Sequence, residues 1–200
     1  MPAMLDIIFS MILGLTIVFI IINANVVVGE GWFNFNNEML VQEMLISTAT
    51  LIEGEFRNMG FGVNKTPTSS AGVIIRADSQ YIQFTSDLNR TGSVDTIEYF
   101  IGDPGDLDFQ NTAIRALHRR VNNGVTNSVG YVTEFKLRYF EKGGNEFDSL
   151  PLINAANIYM IEIEMEVQNP HAFHRDEGGE VYAVTRWRQT RLGSKNLVTR

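Results

Sequence analysis

Cysteine is absent from the sequence, and the first basic side chain is Arg57. Without thiols the chain has no disulfides, thiolate metal sites or cysteine nucleophiles. The net charge of −7 argues against nucleic acid as the main partner, because phosphate backbones are bound by clustered Lys and Arg. The sequence also lacks a phosphate-binding glycine loop, a G-x-S-x-G nucleophile motif and a convincing acid/base pair. We therefore predict a protein that is not an enzyme.

Charge of either sign is missing from residues 7 to 29, which read IIFSMILGLTIVFIIINANVVVG. A helix that spans a bilayer needs about 20 mostly apolar residues, so this run is long enough. No basic segment and no A-x-A-like cleavage site accompany it, which argues against a cleavable signal peptide. A core helix of a soluble protein rarely stays free of charge for so long. The run therefore predicts a retained membrane anchor, with the buried core helix as the alternative.

Apolar residues continue beyond the charge-free run in steps of three and four, which predicts an amphipathic helical stripe. Its members are Phe33, Leu40, Val41, Met44, Leu45, Leu51, Ile52, Phe56 and Met59. The glycines of Gly60-Phe61-Gly62 predict the end of the helix. One helix over residues 3 to 58 would be about 80 Å long. We divide the chain into a membrane-spanning half-helix (residues 1–30), an amphipathic half-helix (31–60) and a β-rich head (61–200).

Short β-branched and aromatic runs separated by turn residues predict strands in the head. These runs are residues 74–75, 81–84, 94–100, 132–140, 158–167 and 181–192. Ile161, Ile163, Met165 and Val167 alternate with three glutamates, the pattern of a strand with one buried face. Arginines on the last run would pair with these glutamates across two antiparallel strands and help set their register. The predicted fold class is α+β, a long N-terminal helix packed on one antiparallel β-sheet.

A single carboxylate, Asp6, stands at the start of the apolar run. One interpretation is an interfacial carboxylate that interacts with the positive end of the helix dipole. The other is a group that becomes buried on assembly and pairs with the N-terminal amine of a neighbouring copy, because an unpaired carboxylate in an apolar environment is costly. Proline at position 2 is compatible with removal of Met1, which would make Asp6 the fifth residue.

Three segments carry a resemblance to a known family. They are Leu5-Asp6-Ile7-Ile8 with the following MILGL (residues 11–15), EFRNMGF (55–61) at the predicted helix end, and RQTRLGSKNL (188–197). Together with the layout of helix and sheet, they resemble type IV pilins and pseudopilins, most closely the larger, PilW-like minor pilins. Asp6 stands where that family has a glutamate, and the family's Gly-Phe processing junction is absent.

The resemblance implies a structural subunit of a type IV-like filament, assembled through its N-terminal helix. The residues it places in assembly are Asp6, Ile7, Ile8, Leu13, Gly14, Leu15 and Phe19. Expected partners are other copies, other pilin-like subunits, the inner-membrane pilus or secretion machinery, and the bilayer before assembly, but no nucleic acid. The expected location is the membrane, then an extracellular filament or the periplasm. The alternative is a single-pass envelope protein whose β domain binds a partner.

We expect no cofactor, and calcium is the one alternative kept open. Asp103, Asp106 and Asp108 offer the oxygen ligands that Ca²⁺ prefers, although their spacing differs from that of an EF-hand loop. Some secretion pseudopilins bind calcium, so the resemblance is compatible with such a site.

Three further motifs have a simpler interpretation. The histidines of the HAFHRD stretch (residues 171–176) predict a solvated loop rather than a metal site. The basic run of Arg115, His118, Arg119 and Arg120 predicts a solvated strand face rather than a nucleic-acid contact. Two glycosylation sequons, at residues 64–66 and 89–91, are short enough to occur by chance.

Overall fold

The computed structural model describes residues 2–63, 73–153, 157–174, 180–194 and 197. It contains two compact units, Met1–Met39 and Leu40–Arg200. Helix α1 (Pro2–Arg57) is followed by antiparallel strands, so the predicted α+β fold class is confirmed. Pro2 occupies the first helical position, where its missing N–H costs nothing.

The described part of the head contains eleven strands. They are β1 (Ile74–Ala77), β2 (Tyr81–Ser86), β3 (Asp95–Ile101), β4 (Arg115–Val121), β5 (Asn127–Val132), β6 (Glu134–Phe140), β7 (Leu152–Ile153), β8 (Met160–Gln168), β9 (Phe173–His174), β10 (Glu180–Val181) and β11 (Val184–Leu192).

These strands form two main sheets rather than the single sheet that was predicted. The larger sheet has the order β5-β4-β3-β2-β1-β7 and the smaller one β11-β8-β6, with β9 and β10 as a separate hairpin. The predicted strand over residues 132–140 is divided at Thr133, because β5 ends before it and β6 begins after it. The backbone N–H of Thr133 donates to the carbonyl oxygen of Glu166 on β8, at 2.8 Å, and this bond starts the second sheet.

The second unit has its own hydrophobic core, to which the helix contributes one face. Val41, Leu45, Ile52 and Phe56 are buried at the helical spacing of four, seven and four residues, as the stripe predicted. The ring of Phe56 packs edge-on against Phe84 and Tyr99, with centroids 5.4 and 5.6 Å away. Leu40 and Leu51, which the stripe also included, are exposed. Burial of each large apolar side chain contributes roughly 1.5–3 kcal/mol, so this face fixes the helix on the sheets.

The helix ends where the glycines predicted. Gly60 and Gly62 have φ values of 73° and 74°, which favour glycine, and the backbone N–H of Gly60 donates to the carbonyl of Thr85. At Gly62 an added Cβ atom would lie 2.5 Å from the Cβ atom of Asp87. Any larger residue would therefore collide with Asp87. Asp87 is buried and accepts the backbone N–H groups of Thr91 and Gly92, which orders the turn after β2.

The predicted pairing of β8 with β11 is confirmed. Arg186 lies opposite Glu166 and Arg188 opposite Glu164, while the apolar residues between the glutamates of β8 are buried. Arg186 pairs with Glu166 as expected, but Arg188 reaches diagonally to Glu162, at 2.7 Å. Glu162 also receives Arg138 from β6, at 3.0 Å. The ion pairs therefore join all three strands of the smaller sheet.

Candidate assembly surface

Over residues 7–29, the charge-free part of the first unit, the helix is exposed on every side and mostly apolar. Large apolar side chains from Met4 to Met39 are more than one-third exposed, and the most apolar part of the helix has no buried residues. A buried core helix, one of the predicted alternatives, does not have this exposure. By length and composition α1 is the one described helix that could cross a membrane. The helix is therefore compatible with membrane anchoring, the coarser part of the predicted location.

The seven predicted assembly residues all lie on this exposed helix, but they do not form one patch. Successive residues on an α-helix are separated by about 100°. Ile8, Leu15 and Phe19 therefore share one side, while Asp6 and Leu13 lie on the nearly opposite side. Ile7 and Gly14 lie between these two sides. The arrangement provides apolar surface around the whole circumference, which suits an environment that covers the helix from all directions.

Asp6 is exposed and makes no ion pair within the part of the chain that the structure describes. It is the fifth residue of α1, just past the first turn, which contains no acidic residue. The dipole of a helix acts mainly within that turn, so the interaction with Asp6 is weakened. The neighbouring side chains of the helix carry no charge, so any cation for Asp6 must come from outside the described segment.

A notch in the helix surface was not predicted from the sequence. Val28, Gly31, Trp32 and Phe35 border this notch, which is shallow and open to the surroundings of the helix. Their spacing, i, i+3, i+4 and i+7, is that of the four residues that receive one side chain in knobs-into-holes packing. Its signal in the sequence is a glycine between apolar residues on one helix face.

The head contains a second recess, between its part of the helix and the edge strand β5. Leu40, Met44 and Thr48 line one side, and residues 128–131 line the other, around about 440 Å³. The Thr48 hydroxyl donates to the carbonyl oxygen of Val129, at 3.3 Å. At Gly130 a Cβ atom would lie 2.4 Å from the same hydroxyl oxygen, so the missing side chain lets β5 approach the helix.

An ion pair inside the head was also missed from the sequence. Both Nε and Nη2 of the Arg119 guanidinium donate to the carboxylate of Glu55, which also accepts a hydrogen bond from the hydroxyl of Tyr99, at 2.6 Å. Burial, followed by the negative charge of Glu55, raises the pKa of Tyr99 far above its ordinary value. The hydrogen bonds to Glu55 raise the pKa of Arg119. Arg119 is separated from Glu55 by 64 residues, so no local pattern indicated the pair.

The interpretation of the basic run on β4 as one solvated face needs correction. Arg119 faces α1 and its ion pair, whereas Arg120 and His118 lie on the other side of the sheet. Arg120 pairs with the buried carboxylate of Glu98, and the His118 ring packs at a tilt of 36° against Phe100, with a centroid distance of 5.2 Å. Strand alternation separates these basic residues, and glutamates already engage two of them.

The remaining candidates do not converge on a site. Asp103, Asp106 and Asp108 are exposed in the loop between β3 and β4. Within the described ranges, no three His, Asp or Glu side chains are grouped closely enough to hold a metal. The predicted loop around His171 is partly strand, because residues 173–174 form β9. Asp176 and the sequon at residues 64–66 lie outside the described residues, and the sequon at residues 89–91 lies in the exposed turn after β2.

The sequence matches no known protein-family model, and no curated protein matches it significantly.

Proposed function

We propose that the protein is a non-catalytic structural subunit of a type IV-like filament, held in the membrane by its N-terminal helix before assembly. One observation carries this proposal, the length of the exposed apolar surface. Large exposed apolar residues extend from Met4 to Met39, which corresponds to about 50 Å of helix. The hydrocarbon core of a bilayer is only about 30 Å thick. Packing against the helices of other subunits would cover the whole length, whereas lipid covers part of it.

The environment of the helix changes between the two states. In the bilayer, the charge-free residues 7–29 span about 35 Å and lie among lipid chains. Trp32, Phe33 and Phe35 then follow at the level of the head groups, where aromatic side chains are common. In a filament surrounded by water, the same residues are removed from solvent by neighbouring helices. Burial of apolar area, at roughly 25 cal/mol per Å², then drives assembly.

Asp6 has a defined role in this proposal. A carboxylate among packed apolar helices is costly unless a cation pairs with it. The helix has no Lys or Arg before Arg57, and the pilin resemblance implies the N-terminal amine of a neighbouring subunit as the cation. This ion pair would fix how far one subunit is displaced along the filament axis relative to the next. The pseudopilin resemblance supports the same role.

The substitution Asp6→Ala tests the proposal against a simple membrane anchor. We expect the variant to remain in the membrane but to be lost from filaments, because the terminal amine of its neighbour loses its partner. Glu30→Ala is the matched control, since it also removes one carboxylate from the exposed helix but leaves the ion pair intact. The readout is the ratio of this chain in sheared filaments to that in membranes, measured by quantitative mass spectrometry. Wild-type incorporation of Asp6→Ala would favour an envelope anchor whose β domain binds a partner.

A further inference from the structure

The turn that joins β2 to β3 presents the Asn89-Arg90-Thr91 sequon at its tip. Residues 89–94 are exposed, whereas Asp87 at the base of the turn is buried and Leu88 packs against the core. The tip is therefore open to solvent while its base is fixed to the head. A bulky, hydrophilic group attached to Asn89 would extend into solvent without displacing the core.

Hydrogen bonds hold the three residues of the sequon in one arrangement. The carboxylate of Asp87 accepts the backbone N–H groups of Thr91 and Gly92, at 3.1 and 2.8 Å. Between them and Asn89, Arg90 has a φ of 56°, in the left-handed region that tight turns use. The Thr91 hydroxyl donates to the amide oxygen of Asn89, at 2.9 Å. The two side chains that define the sequon are therefore in direct contact at an exposed position.

This contact acts on the amide group that N-glycosylation modifies, and the N-x-[ST] rule requires a hydroxyl at the position of Thr91. A carboxamide nitrogen is a poor nucleophile because its lone pair is delocalised into the carbonyl group. When Nδ2 of Asn89 loses a proton, negative charge develops on the amide oxygen, and a hydrogen bond already directed at that oxygen stabilises the charge. Among the described residues no acceptor engages Nδ2 of Asn89, so this atom is available for attack.

We propose that Asn89 is a site of N-linked glycosylation, with an oligosaccharide linked through phosphate to a lipid carrier as the donor. Nδ2 attacks the anomeric carbon of the first sugar, and the new C–N bond forms as the bond between that carbon and the phosphate oxygen breaks. The lipid phosphate leaves with the electron pair, and the amide proton passes to a base of the transferring enzyme. No group is oxidised or reduced in this step.

The inference goes beyond the filament and rests on the proposed function for one element only, the membrane anchor. The anchor keeps the chain at the membrane, where lipid-linked donors are located. Glycosylation does not depend on assembly, because a chain that stays in the membrane carries the same exposed turn. The sequon at residues 64–66 lies outside the described residues and has no part in the inference.

The direct test is peptide mass spectrometry of the full wild-type chain, isolated from the membranes and from the sheared filaments of the producing cells. We expect the peptide that contains Asn89 to carry the added mass of whole sugar residues, and Asn89→Gln to abolish this addition. Asn123→Gln is the matched control, since Asn123 is also an exposed turn asparagine with positive φ but belongs to no sequon. Its glycosylation should equal that of wild type.

Substitutions of Thr91 separate the hydroxyl from the rest of the turn. We expect Thr91→Ser to keep the modification, because serine retains the hydroxyl that bonds the amide oxygen. Thr91→Ala should lose it, although its backbone N–H can still donate to Asp87. Sugar that remains on Asn89→Gln but disappears from Thr91→Ala would be attached to the threonine hydroxyl and would overturn the inference.

The outcomes also distinguish the inference from the proposed function. An unmodified Asn89 in wild-type chain from the producing cells contradicts the glycosylation site, whether or not filaments contain the chain. A glycosylated chain that occurs in membranes but never in filaments supports the site and contradicts the filament proposal.

Discussion

Glu55 illustrates how a single residue couples the helix to the sheet in the head. Its side chain is 14% exposed and that of Arg119 is 20% exposed, so the pair is largely removed from water. The hydroxyl of Tyr99 donates to the same carboxylate, which satisfies it further. Loss of one partner from such a pair is more costly than loss of the pair, because the remaining charge is left without compensation.

We expect Glu55→Gln to lower the free energy of unfolding by about 2 kcal/mol, less than for a completely buried pair. For a protein of this size, the melting temperature should fall by roughly 4–8 °C. Near-UV circular dichroism of the full chain in detergent measures this. Glu53→Gln is the control, because the Glu53–Arg57 pair is an exposed i,i+4 contact worth at most about 0.5 kcal/mol. Equal melting temperatures for the two variants would contradict the role of Glu55.

Residue-scale features were also the least predictable from the sequence. The apolar stripe of α1 gave no indication that Glu55 is largely removed from water and ion-paired. Its partner is brought close only when β4 pairs within the larger sheet. Gly31 gave a local signal for the notch. The notch forms part of the surface only because the helix is exposed there, and helical periodicity alone does not predict that exposure.

At the scale of elements, the features that follow from the side-chain pattern of one helix or strand were predicted correctly. The alternation in β8 and the arginines of β11 predicted an ion-paired face, and helical spacing predicted the buried stripe of α1. The division of the head into two sheets was not predicted, since it depends on a hydrogen bond between Thr133 and a strand more than 30 residues later. Side-chain pattern does not encode that change of sheet.

The smaller sheet should respond to acid through Glu166. Burial alone would raise the pKa of this carboxyl group, but hydrogen bonds from Arg186, Gln168 and Thr133 hold it below the ordinary value. A lowered pKa in the folded state means that the group contributes stability above its unfolded pKa. That contribution is lost as the pH falls through the folded value.

We therefore expect Glu166→Gln to be less stable than wild type at pH 6, by about 1 kcal/mol or less because Arg186 is exposed, and the difference to shrink towards pH 3. Denaturant midpoints at pH 6, 4 and 3 measure this. Glu164→Gln on the same strand is the control, since Glu164 makes no ion pair among the described residues. Identical acid profiles for the two variants would contradict the assignment to Glu166.

At the scale of the whole molecule, assembly and folding are assigned to different parts of the chain. The described core contains only residues from Val41 onward, and the exposed apolar surface of the first unit contributes nothing to it. Removal of residues 1–29 should therefore abolish membrane association and assembly, while the head remains folded and water-soluble. Size-exclusion chromatography and near-UV circular dichroism of the truncated chain measure both properties. A truncated chain that still polymerised would show that the head carries the assembly contacts.

The central claim is that this chain is built into a filament through its N-terminal helix. Its most direct test is electron microscopy of filaments sheared from the native cells, combined with mass spectrometry of the proteins they contain. The account predicts that peptides of this chain co-purify with the filaments and that its N-terminal helix is protected from protease until they dissociate. If the chain stays entirely in the membrane fraction while filaments form without it, the account is contradicted.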